Sequence, residues 1–535
     1  MADSDRLTKD DIVDDLRALG VGPGMTLMVH SSLSALGHVE GGAATVVEAL
    51  LEALGPEGTL AMPAMSGGVF DPEKSPSNVG AITETFRTWP GVQRSFHPSH
   101  SACAIGPRAT FLLEDTLDHP TAIGAESPWG RLARLAEAHV LLLGVDQDRN
   151  TLLHHPEEVV RAPYLSTIER EYLDEGGNVQ TKALHLFPGP HRDFIGLEPI
   201  IRDSGAMRVA KVGSAVARLM HATTTAEAVT AALQKDPAAV LCDNPNCDDC
   251  VMQRAKIKAH DLAQYDFTVS ALLDELIDDL RDAVTGGEHA GGLQAVVNEG
   301  IRAVELGPAL TRQLLDEPQV VAGLAADLSE LEMTISCVDC GLEAEELLAD
   351  EGSVRDGVGR AAEVAASFDC DVLKVAAPPR GTSAEEATAR LRAVCEAVGA
   401  AADGLTIVFE NTPGSAWDSG AACDRVLRTL ADECNVGFAF NPAHFANVGE
   451  RPFLETFRAT KLNRHTRIIY ATDGCFPGRP GYTLPLQGTA EVKEVISIFR
   501  ARGFDGFVTL KMGDRRGPDE FRRQAAAFRR LLETS

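Results

Sequence analysis

LLLGVDQDRNTLLHHPEE, residues 141–158, carries an apolar strand straight into two imidazoles and two carboxylates with only a proline between them. The strand HVLLLGV (139–145) is apolar beyond His139, as expected of a buried strand in an α/β layer. Function in such layers gathers beyond the carboxyl ends of the strands, where this polar cluster falls. The cluster has three readings. Pro156 fits the first position of a helix whose dipole Glu157 and Glu158 complement, which asks nothing of the histidines. A zinc site is disfavoured, because adjacent histidines diverge whereas helical zinc pairs sit on one face. His154 and Glu157, however, are spaced to meet across a helical turn, and a histidine held by a carboxylate is a good general base near neutral pH.

The same alternation continues on both sides. Thr8 and Asp11 form a capping box for a helix that Gly20 ends, and GMTLMVH (24–30) is a buried strand. ATVVEALLEALG (44–55) is an amphipathic helix with Thr45 and Glu48 as its capping box, followed by strand GTLAMP. Helix AITETFRTW, strand HSACAIG and helix SPWGRLARLAEA then lead to the opening stretch. Around residues 255–292 the pattern loosens, and TGGEHAGG (285–292) has the composition of a flexible loop. Beyond it, AVELG, LEMTISC, DVLKVAA, LTIVFE, VGFAFN, RIIYATD and GFVTLKM alternate with helical segments. With a first strand near 262–270, this describes a (β/α)8 barrel of the TIM type; a doubly wound open sheet is the alternative. The reading is α/β throughout, with one domain over residues 1–262 and a second over 263–535.

Composition bounds the function. The 535 residues carry a formal charge of −29, which argues against a nucleic-acid partner, since phosphate backbones are met by clustered Lys and Arg. No apolar run is long enough for a membrane span, and MADSDRLTKDDIVDDL has the wrong chemistry for a secretory leader. The expected location is cytoplasmic. The 11 cysteines then read as buried thiols or metal ligands rather than a disulfide framework.

Six blocks, LMVHSSLSALGHVEGG (27–42), GPEGTLAMP (55–63), GAITETFRTWPGVQRSFHPSHSACAIG (80–106), ESPWGRL (126–132), LLLGVDQDRNTLLHHPEE (141–158) and AKVGSAVARLM (210–220), resemble in order the aminoglycoside 3-N-acetyltransferase family of antibiotic N-acetyltransferases. The resemblance implies direct acetyl transfer from acetyl-CoA to the amine of an aminosugar in a ternary complex. His154 would be the base and Glu157 its partner, with Asn150 and Thr151 in support. This chain has His155 and Pro156 where the family often has Leu-Ala. Acetyl-CoA would lie along His30, Ser31, Ser32 and Leu33 and along His97, His100 and Ser101, with a backbone N–H of the 31–33 loop facing the thioester oxyanion. His97 and His100 also read as hydrogen-bonded structural histidines. Asp71, Glu84 and Glu126 are candidates for attracting the cationic acceptor.

CDNPNCDDC spaces Cys242, Cys247 and Cys250 for a metal knuckle. Three thiolates would hold zinc if His191, His221 or His260 supplied a fourth ligand; reduced thiols without a metal are the alternative. CVDC (337–340) is a weaker redox or metal candidate.

The second half, through AVELG, VFENTPG, NPAHFANVGE, ATDG and LPLQGTAEVKEVISIFRARGFDGFVTLK, is similar to the sugar phosphate isomerase/epimerase family of xylose isomerase-like barrels. That family holds a divalent metal between carboxylates and histidines. Carried over, the site would comprise Glu305, Glu410, Asn441, His444, Asp473 and Lys511. Asn441 replaces an Asp, Ala471 a His and Lys511 a Glu, so the metal is doubtful and the barrel reads as a structural or substrate-binding module. The resulting picture is an N-acetyltransferase fused to a barrel with a degenerate metal site. A sugar isomerase with a regulatory CoA-binding domain, or a non-catalytic small-molecule-binding protein, is the alternative. Self-association is left open.

Overall fold

The computed structural model describes residues 6–189, 191–280, 288–401, 404–476 and 479–534. The chain divides into two compact units, Met1–Ile257 and Lys258–Ser535.

The first unit is built on β1 (Thr26–Ser31). Leu27 and Val29 face one apolar cluster, with the helices Lys9–Leu19 and Ala43–Leu54, while Met28 faces another containing Trp129 and Leu142. Successive strand side chains alternate in direction, so a strand covered on both faces needs apolar residues at every position. β2 (Thr59–Pro63), β3 (Gln93–Arg94), β4 (Ala102–Ile105) and β5 (Ala138–Leu143) flank it. β6 (Ser166–Leu173) and β7 (Val179–Phe187) form a separate hairpin. β8 (Met207–Val212) and β9 (Ala215–His221) complete a seven-stranded sheet ordered β3-β4-β2-β1-β5-β9-β8. The strands β1, β2 and β5 are mutually parallel, and β4 and β9 pair with them antiparallel.

The Thr8–Asp11 capping box and the left-handed Gly20 terminate the first helix as expected. Thr45 is not a cap. The second helix begins earlier, after Gly42, and the Thr45 hydroxyl bonds back to the Glu40 carbonyl (2.5 Å). The helix expected over 127–138 is confined to Pro128–Leu132, and Ala138 already belongs to β5. Of the loop expected over 285–292, residues 285–287 lie outside the described residues, and Glu288–Asn298 is helical.

The second unit is a closed eight-stranded parallel barrel: β10 (Thr268–Leu272), β11 (Ala303–Leu306), β12 (Thr334–Asp339), β13 (Val372–Val375), β14 (Thr406–Glu410), β15 (Val436–Phe440), β16 (Thr466–Tyr470) and, after a short β17–β18 pair (Asp473–Cys475 and Arg479–Thr483), β19 (Phe507–Leu510). Its interior is layered by the two-residue strand period. Cys337, Val372, Val408, Ala439 and Ile468 fill one layer. Two residues further along the chain from these come Asp339, Lys374, Glu410 and Tyr470 at the strand ends and Asn441 just beyond β15, so the layer above is charged and polar.

Candidate active site

The first site lies at the carboxyl ends of β1 and β5. The last residue of β5, Leu143, accepts the Ser32 N–H (3.0 Å). Gly144 follows with φ +73°, and a Cβ there would stand 2.5 Å from that of Ala35, so a glycine is required for the two loops to meet. Two tight turns, Gln147–Arg149 and Thr151–Leu153, then feed the helix His154–Val159. This helix starts at His154 rather than at Pro156. The proline sits at its third position, where its missing N–H is still one that a helix start leaves unpaired.

His154 and Glu157 meet across that turn, Nδ1 to Oε2, at 2.7 Å. With the carboxylate accepting, Nδ1 carries the proton and Nε2 is left basic. Glu157 is fully buried. Burial alone would raise its pKa, but the His154 hydrogen bond and the Arg192 charge outweigh it and hold the carboxyl below its ordinary value. Arg192 donates through Nε to the other Glu157 oxygen and lies 4.7 Å over the Tyr164 ring. The Phe194 ring packs edge-on against His154 at 4.7 Å.

His154 forms part of the wall of a cavity of about 620 Å³, with His30, Ser31, Thr83, His100 and Asp148. A second cavity of about 520 Å³ is lined by Ser31, Ser32, Leu33, Ser34 and His38. Ser31 and Gly80 line both. Burial pushes the His30 imidazole down to about 4, which keeps it neutral. Thr151 also lines the larger cavity, while the buried Asn150 braces the preceding turn through Gln147 Oε1 (3.0 Å).

His97 and Ser101 are not among the residues lining either cavity. His97 Nδ1 accepts the backbone N–H groups of Ser99 (3.3 Å) and His100 (2.9 Å), and burial pushes its pKa down to about 3. The Ser101 hydroxyl donates to the Ala64 carbonyl (2.6 Å) and accepts from Arg94. His97 therefore braces the HPSH turn, and Ser101 ties the chain just beyond it to Ala64 and Arg94. Asp71 closes its own turn, Glu84 pairs with Arg87, and Glu126 pairs with Arg131 and Arg134. The acid at the cavity is Asp148, inside the block that marks the site.

Cys242, Cys247 and Cys250 are brought together, and His191 joins them: one ligand atom from each lies within 4.8 Å of all the others. His221 instead caps the helix Ala222–Lys235. Cys337 and Cys340 do not form a pair site. Cys337 is in the barrel interior and Cys340 in the surrounding shell, and burial pushes the Cys340 thiol up to about 12 and that of Cys337 well above its ordinary range.

At the barrel's carboxyl end Glu305, Glu410, Asn441, His444 and Lys511 converge, with Lys374 and Tyr470 among them. Lys374 Nζ lies 2.6 Å from Glu305, 3.0 Å from the Tyr470 hydroxyl and 3.6 Å from Asp339. Lys511 Nζ lies 3.1 Å from Glu410, and Asn441 donates to the same oxygen (2.7 Å). Burial works against the Lys374 ammonium, but Glu305, Tyr470, Asp339 and Glu410 hold its pKa well above the usual range. The Asp473 carboxylate is engaged by backbone instead. It accepts the N–H groups of Gly474, Ala490 and Gly488 at 2.9–3.1 Å and so fixes a loop. A divalent metal does not fit this donor set, because two ammonium groups sit on the carboxylates that would bind it.

Arg192 and Lys374 do not stand out as site residues in the sequence. Arg192 carries no spacing signal; a lone lysine inside the apolar DVLKVAA is one for Lys374.

Residues 28–234 match the aminoglycoside 3-N-acetyltransferase family, and residues 293–531 match the xylose isomerase-like TIM barrel family. The SPbeta prophage-derived aminoglycoside N(3')-acetyltransferase-like protein YokD of Bacillus subtilis is 35% identical over 254 residues, covering 40% of this chain and 88% of the relative. Aminoglycoside N(3)-acetyltransferase IV of Salmonella sp is 36% identical over 236 residues, covering 43% and 88%. The apoenzyme structure of aminoglycoside acetyltransferase AAC(3)-IVa aligns at 32% identity over 47% of this chain and 97% of its own, with a TM-score of 0.44. Among the described residues, no helix is long and apolar enough to cross a membrane. The chain therefore belongs, through its first unit, to the aminoglycoside 3-N-acetyltransferase family, as an acyltransferase joined to a xylose isomerase-like barrel.

Proposed function

We propose that the first unit moves the acetyl group of acetyl-CoA to a primary amine of an aminosugar, with His154 as general base. The observation that carries this reading is the 2.7 Å His154–Glu157 pair on the wall of the larger cavity. Relatives named aminoglycoside N(3)-acetyltransferases support the acceptor class. The two abutting cavities offer room for two substrates, with acetyl-CoA along Ser31–Ser34 and the acceptor beside Asp148.

In the proposed step, the amine nitrogen attacks the thioester carbonyl carbon while His154 Nε2 takes the departing ammonium proton. Glu157 stabilises the imidazolium, and Arg192 keeps the carboxylate turned towards it. The tetrahedral oxyanion is met by a backbone N–H, for which Leu33 is suited: it opens the tight turn Leu33–Leu36, whereas the Ser32 N–H is already bonded to Leu143. Collapse of the intermediate breaks the C–S bond, and the imidazolium returns its proton to the CoA thiolate. The barrel is proposed to act without a metal, as a substrate-binding or structural module.

The test is thiol release from acetyl-CoA with a panel of aminosugars. Wild type should release CoA only with amine present. His154→Ala should lose about 10²–10⁴-fold in rate while binding CoA normally. Amine-independent release, or an undiminished His154→Ala variant, would overturn the assignment.

A further inference from the structure

His191 lies in coil, whereas Cys250 belongs to the helix Asp248–Leu262 and Cys242 and Cys247 to the chain leading into it. The two segments are about fifty residues apart in sequence, yet His191 Nδ1 is 3.3 Å from Cys250 Sγ and 3.6 Å from Cys247 Sγ. We infer that His191, Cys242, Cys247 and Cys250 hold one zinc ion, and that this ion fixes the coil that positions Arg192 against Glu157.

The geometry fits a tetrahedral site. Zn–S bonds of about 2.3 Å and a Zn–N bond of about 2.0 Å place ligand atoms roughly 3.5–3.8 Å apart. The four atoms here, all within 4.8 Å, need move by no more than about an ångström. Soft thiolates with one imidazole select zinc over calcium or magnesium, and four protein ligands leave no open position, as in structural rather than catalytic zinc sites. Binding converts three thiols to thiolates, releases three protons to solvent and takes His191 as neutral imidazole through Nδ1. The knuckle is already braced. Arg254 donates to the carbonyls of Leu241 (2.7 Å) and Cys242 (3.3 Å) and to Asp243 (2.8 Å), and Asn244 accepts the Cys247 N–H (3.1 Å).

The residues that follow His191 reach the catalytic pair. Arg192 clamps Glu157, the Asp193 N–H bonds to the Val240 carbonyl (2.8 Å), and Phe194 walls the His154 ring. An anchored His191 therefore holds both neighbours of the base, and Arg192 is a positioning residue. This coupling rests on the transferase reading; the metal assignment does not.

Full-length protein prepared in reductant without chelator should carry one zinc per chain by elemental analysis. Cys247→Ser and His191→Ala should lose it. Cobalt(II) should give the intense d–d absorption of a tetrahedral thiolate site, a signal independent of activity. Arg192→Gln should keep its zinc and its CoA affinity but lose kcat. Stripping zinc from wild type should lower kcat by about 10–100-fold, and stripping it from Arg192→Gln should add little. A reduced wild-type chain that neither carries nor takes up zinc or cobalt overturns the site. Zinc-free protein that remains folded with full kcat overturns the coupling. Where no amine is acetylated, the proton resonance of the His154–Glu157 bond decides instead: zinc removal shifts it, or the coupling is wrong.

Discussion

Among the described residues a histidine is set against a glutamate twice, to opposite effect. In the first unit His154 gives Nδ1 to Glu157 and faces a cavity of about 620 Å³. In the barrel, His444 Nδ1 lies 2.6 Å from the Asn411 carbonyl and 3.1 Å from Glu410, and its Nε2 is 2.9 Å from the Tyr482 hydroxyl, so both nitrogens are engaged. The carboxylates differ as well. Glu157 has one guanidinium on the oxygen remote from the histidine. On the Glu410 carboxylate burial alone would act upward, but Lys511, His444 and Lys374 overcome it and hold the pKa down to about 2. A carboxylate whose charge is shared among several cations has less left to stabilise an imidazolium, so proximity alone does not make a base.

The largest effect expected from this contrast is catalytic. Glu157→Gln should lower the rate of acetyl transfer by about 10²–10⁴-fold, whereas Glu410→Gln should change it by less than about twofold, since the barrel pair takes no part in proton transfer. Thiol-release assays on both variants decide it, and equal losses would break the contrast. In stability the ranking reverses in favour of the barrel cluster. Lys374→Met leaves Glu305 and Asp339 buried without their cation, at a cost of about 3–5 kcal/mol. Hydrogen exchange should quicken in peptides from β13 and β14 but not in those from β1 and β5.

Acid should separate the units next. Burial pushes His30 down to about 4 and His97 to about 3 from an ordinary 6.5. A histidine with a depressed folded pKa binds protons more tightly when unfolded. Its contribution is whole above about pH 6.5 and is lost as pH falls towards the folded value. His444, pushed by burial to about 4, acts the same way in the barrel. There, however, burial raises Glu275 to about 7 and Asp339 to about 6. Their contribution is whole below the ordinary carboxylate range and lost as pH rises towards those values, so acidification partly offsets the histidine. Between pH 6.5 and 4 the first unit should open at the higher pH in hydrogen-exchange titrations. Simultaneous opening would sink the distinction.

Legibility followed burial. Central strands such as β1 and β5 announce themselves because residues 27–29 and 140–143 are apolar without alternation, and His154–Glu157 is a local pair whose spacing already encodes the contact. The β6–β7 hairpin gives no such signal: STIEREYL and VQTKALHLF are largely exposed and lack a continuous apolar face. Thr45 has the same spacing to an acid as Thr8, yet Gly42, at φ +66°, starts the helix upstream and leaves Thr45 inside it. Arg192 and His191 reach their partners from coil, where no periodicity ties them to Glu157 or to the cysteines. Asp473 shows the converse failure: the family position is kept, but neighbouring loop N–H groups claim the carboxylate.

The smallest effect tests whether the barrel histidine is held shut by a single hydroxyl. Tyr482→Phe removes one hydrogen bond from His444, at a cost of about 1 kcal/mol, and uncovers Nε2 while Asn411 and Glu410 still grip Nδ1. Diethyl pyrocarbonate acylates a neutral, accessible imidazole nitrogen. In wild type it should modify His154, which lines a cavity, far faster than His444, which is 6% exposed. In Tyr482→Phe the His444 rate should rise while the His154 rate and acetyl transfer stay as they were, because the two imidazoles share no partner. If His444 reacts as fast as His154 in wild type, the barrel site is open, and the lysines on its carboxylates become its sole distinction from the first.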